Sequence, residues 1–177
     1  MYESLGDETL QDCVNEYITG QYALNIHHPE ITDEPTGDWH GFIWDNIKEL
    51  PNKKITYAGI GHELNTFAIW GSYGIFDDKK HFEDQGIIIR TPNVYIANYY
   101  RAVLDRLFFS LKKHETVLNL YGATEDFFDT AEQKYFIIEK INLARAYLTE
   151  KANKNLDRWI NYELYYEQYR AGGINID

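Results

Sequence analysis

Three runs decide the fold class: Ile55-Thr-Tyr-Ala-Gly-Ile60, Thr66-Phe-Ala-Ile-Trp70 and Gly86-Ile-Ile-Ile89. Each is of strand length and rich in β-branched or aromatic residues, which fit a pleated, half-buried surface. Short glycine-containing connections and a charged stretch, Asp77 to Asp84, separate them. The charged stretch reads as a helical turn or an exposed loop. Gaps this short leave no room for crossover helices, so the runs predict a small, mostly antiparallel sheet.

On both sides the pattern turns helical. Upstream, Asp7 is placed to cap a helix from Glu8 to Thr19, with Leu10, Val14 and Tyr17 or Ile18 on one side and Gly20 as the stop. Tyr22 to Ile26 alternates loosely, as a short strand does. His27 to Gly37 carries two prolines and reads as a loop, and Asp38 then caps a second helix, Trp39 to Leu50, ended by Pro51. Downstream, Thr91 at the N-cap with Pro92 at the first helical position predicts a long helix. Its apolar stripe runs through Ala97, Arg101, Leu104, Phe108 and Leu111 to Lys112-Lys-His114. A second helix begins near Thr130, whose spacing to Gln133 fits a capping box, and a third spans about Asn153 to Arg170. The expected fold is α+β, a single domain over residues 1–177. An acidic helix and sheet half (1–90) is followed by a helical half (91–177) that covers the sheet.

A chain of 177 residues with 44% hydrophobic and 16% aromatic content builds a core and is not disordered throughout. No apolar run approaches the roughly 18 residues of a membrane span. The amino terminus lacks the basic and apolar regions of a signal peptide. The single cysteine, Cys13, cannot form an internal disulfide or a cysteine-built zinc site, and it reads as a small buried hydrophobe. These features lead us to expect a cytoplasmic protein with no membrane partner and no cofactor.

The charge is unevenly distributed. The net charge is −11, and residues 1–50 carry eleven acids against one base, Lys48. Residues 93–177 are close to neutral, with twelve acids and eleven bases. Confined charge repels itself, and a cationic partner docking there relieves the repulsion. Aromatics are interleaved in the acidic region (Tyr17, Tyr22, Trp39, Phe42, Trp44), the composition of a surface that anchors a basic protein. The leading partner-binding residues are Asp33, Glu34, Asp38 and Asp45, with Trp39 and Trp44 as anchors. Asp12 and Glu16 come second, Asp77 and Asp78 third. Direct nucleic-acid binding is disfavoured, since the basic doublets Lys53-Lys54, Lys79-Lys80 and Lys112-Lys113 are short and scattered.

Catalytic patterns are weaker. His27, His28, Asp38 and His40 offer imidazole and carboxylate ligands in one window, the basis of an alternative reading as a metal-dependent hydrolase. No His-x-x-x-His helix spacing supports it. His62-Glu63 is a possible proton-transfer pair, although neighbours on a strand point apart. No Gly-x-Ser-x-Gly elbow is present. Arg101 and Asp105 are four apart on the long helix and pair there if exposed. An inward Arg101 would need a buried carboxylate, and Asp38 or Glu63 are candidates. Tyr162, Tyr165, Tyr166 and Tyr169 cluster near the end, as a core edge or a second interface.

Three segments, Ala23-Leu-Asn-Ile26, Thr36-Gly-Asp-Trp-His40 and Tyr95-Ile-Ala-Asn-Tyr-Tyr-Arg-Ala-Val-Leu-Asp105, resemble bacterial antitoxin or immunity proteins. The resemblance implies a non-enzymatic protein that neutralises a basic toxin domain, plausibly a nuclease, by covering its active site. It carries over no functional residue. An acidic DNA mimic is a third reading, which requires carboxylates spaced like phosphates along an extended surface.

Overall fold

The computed structural model describes residues 14–24, 26, 55–117, 120–122, 128 and 130–165. The fold is α+β. Two compact units divide between Asp105 and Arg106.

The first unit is built on a four-stranded sheet. Its strands are β1 (Glu16–Thr19), β2 (Thr56–Gly59), β3 (Ile75–Asp77) and β4 (Tyr95–Ala97), in the order β2-β1-β4-β3. The β1–β2 and β3–β4 pairs are antiparallel, and β1–β4 is parallel through Ile18 and Ile96. Short helices α1 (Gly20–Leu24), α2 (Phe67–Trp70) and α3 (Lys79–Asp84) lie between the strands in sequence. The longer α4 (Tyr99–His114) contributes residues 99–105 to this unit and the rest to the next. The core gathers Tyr17, Leu24, Ile26, Ala58, Ile96, Val103 and Leu104, all nearly or wholly buried.

Several sequence expectations are corrected here. The helix expected over Glu8–Thr19 is a strand from Glu16 onward, and residues 8–13 lie outside the described ones. Tyr17-Ile18-Thr19 is aromatic and β-branched, and the sheet supplies neighbours on both edges, so pairing overrides the loose helical spacing. Tyr22–Ile26 is mostly helix α1, not strand. Thr66–Trp70 forms α2, and Gly86–Ile89 is not a strand, while β3 and β4 were not anticipated. The first of the three runs, Ile55–Ile60, is present as β2 over Thr56–Gly59. The charged stretch does contain a helix, α3. The long helix begins at Tyr99 instead of Pro92, because Asn98 caps it. The Asn98 side-chain oxygen accepts from the Arg101 backbone N–H at 2.9 Å, satisfying one of the helix's orphan donors. The helix expected over Trp39–Leu50 lies outside the described residues.

Two glycines are fixed by close backbone approach. Gly59 has φ +124°, and a Cβ there would sit 2.2 Å from the Asn15 carbonyl oxygen. Gly74 has φ +70°, and its Cβ would meet the Asn98 side-chain oxygen at 2.6 Å and the Arg101 Cβ at 2.8 Å. The second contact seats the start of α4 directly against the turn before β3.

The second unit is helical: the end of α4, α5 (Ala131–Asn142), a 3-10 segment Leu143–Tyr147, and α6 (Glu150–Leu164). Thr130 and Gln133 form the expected reciprocal cap, each side chain accepting the other's backbone N–H at 3.2 Å. The third helix starts three residues earlier than expected, with Thr149 as its cap. Leu111, Ile137, Ile141, Leu156 and Trp159 form its core. Trp159 donates its indole N–H to the Leu120 carbonyl at 2.8 Å, and Glu163 accepts from the Gly122 N–H at 2.7 Å. Both are buried, so each holds the 120–122 segment against α6. Trp159→Phe is expected to cost about 1–3 kcal/mol, from a lost buried hydrogen bond and altered packing. Urea denaturation checks this, and an unchanged midpoint would contradict it.

Candidate functional site

A saturated polar cluster lies at the centre of the first unit. Arg101 and Asp105, one turn apart on α4, are wholly buried. The guanidinium Nε donates to Asp105 Oδ1 at 3.1 Å, Nη1 to the carbonyls of Gly71 and Tyr73 at 3.0 and 2.9 Å, and Nη2 to Tyr17 Oη and Thr66 Oγ1 at 2.8 Å each. That uses the full donor set of an arginine. Asp105 accepts from Thr66 and Arg101 on Oδ1, and from Tyr17 at 2.9 Å and Thr19 at 2.8 Å on Oδ2. Its lone pairs are likewise filled. The rings of Tyr17 and Trp70 flank the guanidinium at 5.1 and 5.4 Å, within cation–π range. Arg101 thus faces inward, and its partner is Asp105 on the same helix. Glu63 is exposed and Asp38 lies outside the described residues. With every donor and acceptor used, the cluster positions the fold and leaves nothing to offer a substrate.

Beside it, a groove of about 400 Å³ opens on the same unit. Glu16 and Ile18 of β1, Tyr57 of β2 and the 91–95 segment line it. Strand alternation explains the division of labour along β1. Tyr17 and Thr19 reach into the buried cluster, so Glu16 and Ile18 point to the opposite face. Ile18 pairs with Tyr57 across the β1–β2 ladder, which brings that ring to the same face. Glu16 is exposed, and its Oε2 is 2.8 Å from His62 Nε2. The His62 ring in turn stacks on Tyr57, with centroids 6.0 Å apart. His62 thus bridges the Glu16 carboxylate and the Tyr57 ring.

The far wall is held from behind. Asp77 Oδ1 accepts from the Val94 N–H at 3.0 Å and the Lys79 N–H at 3.1 Å. The Asp78 N–H donates to the Val94 carbonyl, and Lys79 Nζ donates to the Thr91 carbonyl. Asp78 is buried, with its carboxylate 3.4 Å from His81. Asp77 and Asp78 therefore brace the groove. Within it, Asn93 Nδ2 donates to Tyr95 Oη at 2.5 Å.

Of the residues singled out in the sequence, Glu16, Asp77 and Asp78 come together around this groove. Asp12, Asp33, Glu34, Asp38, Trp39, Trp44 and Asp45 lie outside the described residues, as do His27, His28, His40 and Cys13. Among the described residues no group of three or more His, Cys, Asp or Glu is placed to hold a metal ion. No helix among them is long and apolar enough to cross a membrane. Tyr57, Asn93 and Tyr95 escaped sequence reading, since no spacing links β2 to the 91–95 segment. The missed signal was the β-branched and aromatic composition of β1. No protein-family model, curated protein or solved structure matches the chain.

Two outcomes follow from the buried cluster. Arg101→Met strands Asp105 without its cation and is expected to cost about 3–5 kcal/mol, while the Arg101→Met/Asp105→Leu double variant regains part of that loss. Equal losses in the two would contradict the pairing. Burial, and after it the neighbouring Asp105 carboxylate, pushes the Tyr17 hydroxyl well above the usual tyrosine range. A raised folded value means stability that is intact below about pH 10, where an unfolded tyrosine titrates, and that is lost as pH climbs beyond it. The stability gap between the natural protein and Tyr17→Phe is therefore expected to narrow above about pH 10 in denaturation series. A gap constant with pH would contradict it.

Proposed function

We propose that this chain is a non-enzymatic neutraliser of the immunity or antitoxin type, which binds a basic toxin domain, a nuclease in the leading case, and covers its active site. The observation that carries this reading is the segregation of charge: eleven acids against one base in residues 1–50, interleaved with aromatics, in a chain of net charge −11. Such a charge distribution accelerates encounter with a cationic partner and disfavours a phosphate backbone. The groove adds local support. Glu16 belongs to the acidic segment, and among the described residues no Lys or Arg lines the cavity.

Asp33, Glu34, Asp38 and Asp45 supply long-range attraction in this reading, with Trp39 and Trp44 as desolvated anchors and Asp12 and Glu16 as secondary contributors. Lys and Arg side chains that a nuclease uses on phosphates are the natural counterparts. The test is capture of the tagged chain's partner from its native host, followed by association kinetics with the purified partner. We expect a basic protein whose association rate falls steeply between low and high salt, and falls again in Asp33→Lys/Glu34→Lys. A partner with an acidic binding surface, or a rate indifferent to salt and to the charge reversal, would overturn the reading.

A further inference from the structure

We infer that the groove beside β1 is a receptor for an arginine side chain: Glu16 takes the guanidinium, and the Tyr57 and Tyr95 region packs along its plane and stem. This deepens the neutraliser reading and rests on it for the source of the arginine, a basic protein.

Among the described residues lining the groove, Glu16 is the one that carries a charge. Glu16 uses Oε2 on His62, and its Oε1 has no partner among the described residues. Tyr57 is 42% exposed, and no hydrogen bond to its hydroxyl occurs among the described residues. Tyr95 Oη accepts from Asn93, which leaves the phenol proton and a further lone pair to the groove. A ligand matching this set brings several N–H donors and a positive charge. Guanidinium does so with five donors and no acceptor, in a planar fork suited to a carboxylate.

Aromatic character discriminates further. Guanidinium is weakly hydrated and stacks on aromatic rings, whereas ammonium is a compact, strongly hydrated point charge. The same unit already holds one guanidinium between aromatic rings, Arg101 between Tyr17 and Trp70, so this chemistry is in use in the fold. A volume of about 400 Å³ accommodates a long side chain with part of the backbone bearing it. His62 engages one Glu16 carboxylate oxygen and leaves the other, so an entering guanidinium meets a steadied acceptor. Asp77 and Lys79 brace the opposite wall through the Val94 N–H and the Thr91 carbonyl.

The test uses the full chain and small probes, so it does not depend on finding a toxin. Blocked arginine (N-acetyl-arginine amide), blocked lysine and blocked glutamate are titrated separately while backbone amide shifts are followed by NMR. Blocked arginine is expected to move the amides of Glu16, Tyr57, Asn93 and Tyr95. Blocked lysine should bind several-fold more weakly, and blocked glutamate should leave them unmoved. Glu16→Gln is expected to weaken the arginine response about tenfold, the scale of one charge-assisted hydrogen bond. Tyr57→Ala should weaken it independently, and Glu150→Gln, on exposed α6, should leave it unchanged. Absence of a response in the groove, or equal response to arginine and lysine, would overturn the assignment. A captured basic partner whose affinity ignores Glu16→Gln and Tyr57→Ala would overturn the groove's role and leave the neutraliser reading standing. Arginine binding without any basic partner would have the opposite meaning.

Discussion

The first unit depends on one buried ion pair. Arg101 and Asp105 lie within a single turn of α4, yet their hydrogen bonds reach β1, the residue before α2, and the turn ahead of β3. A buried pair of this kind contributes little net stability, because desolvation offsets attraction. Its effect is on uniqueness. Any other seating of α4 would strand donors of the guanidinium or acceptors of the carboxylate in a dry interior, at a cost of kilocalories apiece. Three hydroxyls from β1 and from the end of the 61–66 segment complete the cage, so the helix and the strands can dock in essentially one register. Gly74, where a side chain would collide with Asn98 and Arg101, tightens the same junction.

The position of β1 at the centre of the sheet links this framework to the surface. Its odd-numbered residues Tyr17 and Thr19 are committed to the cluster, so the even-numbered Glu16 is turned toward the groove. The acid is thereby presented by a strand that is held on both edges, next to a ring on β2 and a wall braced by Asp77. A rigidly presented acceptor loses little freedom on binding, which favours it over a carboxylate on a mobile tail.

The fold class was legible in the sequence, and the element boundaries were less so. Thr130 with Gln133 and the helix they begin could be read because a capping box is a local signal. β2 was legible because its composition and flanking glycines agree. The segment around Tyr17 was not, because Val14, Tyr17 and Ile18 satisfy a helical spacing as well as a strand, and only the neighbouring strands decide between them. Thr91-Pro92 mimics a helix start, while the operative cap, Asn98, is conspicuous only once β4 is known to occupy residues 95–97. Arg101 and Asp105 could be paired from their spacing, but their burial depends on hydroxyls 35 to 88 residues away. The groove was the least legible feature, since β2 and the 91–95 segment meet only through β1 and β4.

The proposed neutralisation by occlusion is tested most directly by titrating the captured partner's own catalytic activity with this chain. Activity is expected to fall linearly to near zero at one equivalent and to return when salt releases the complex. A partner that remains fully active when saturated with the chain would contradict it.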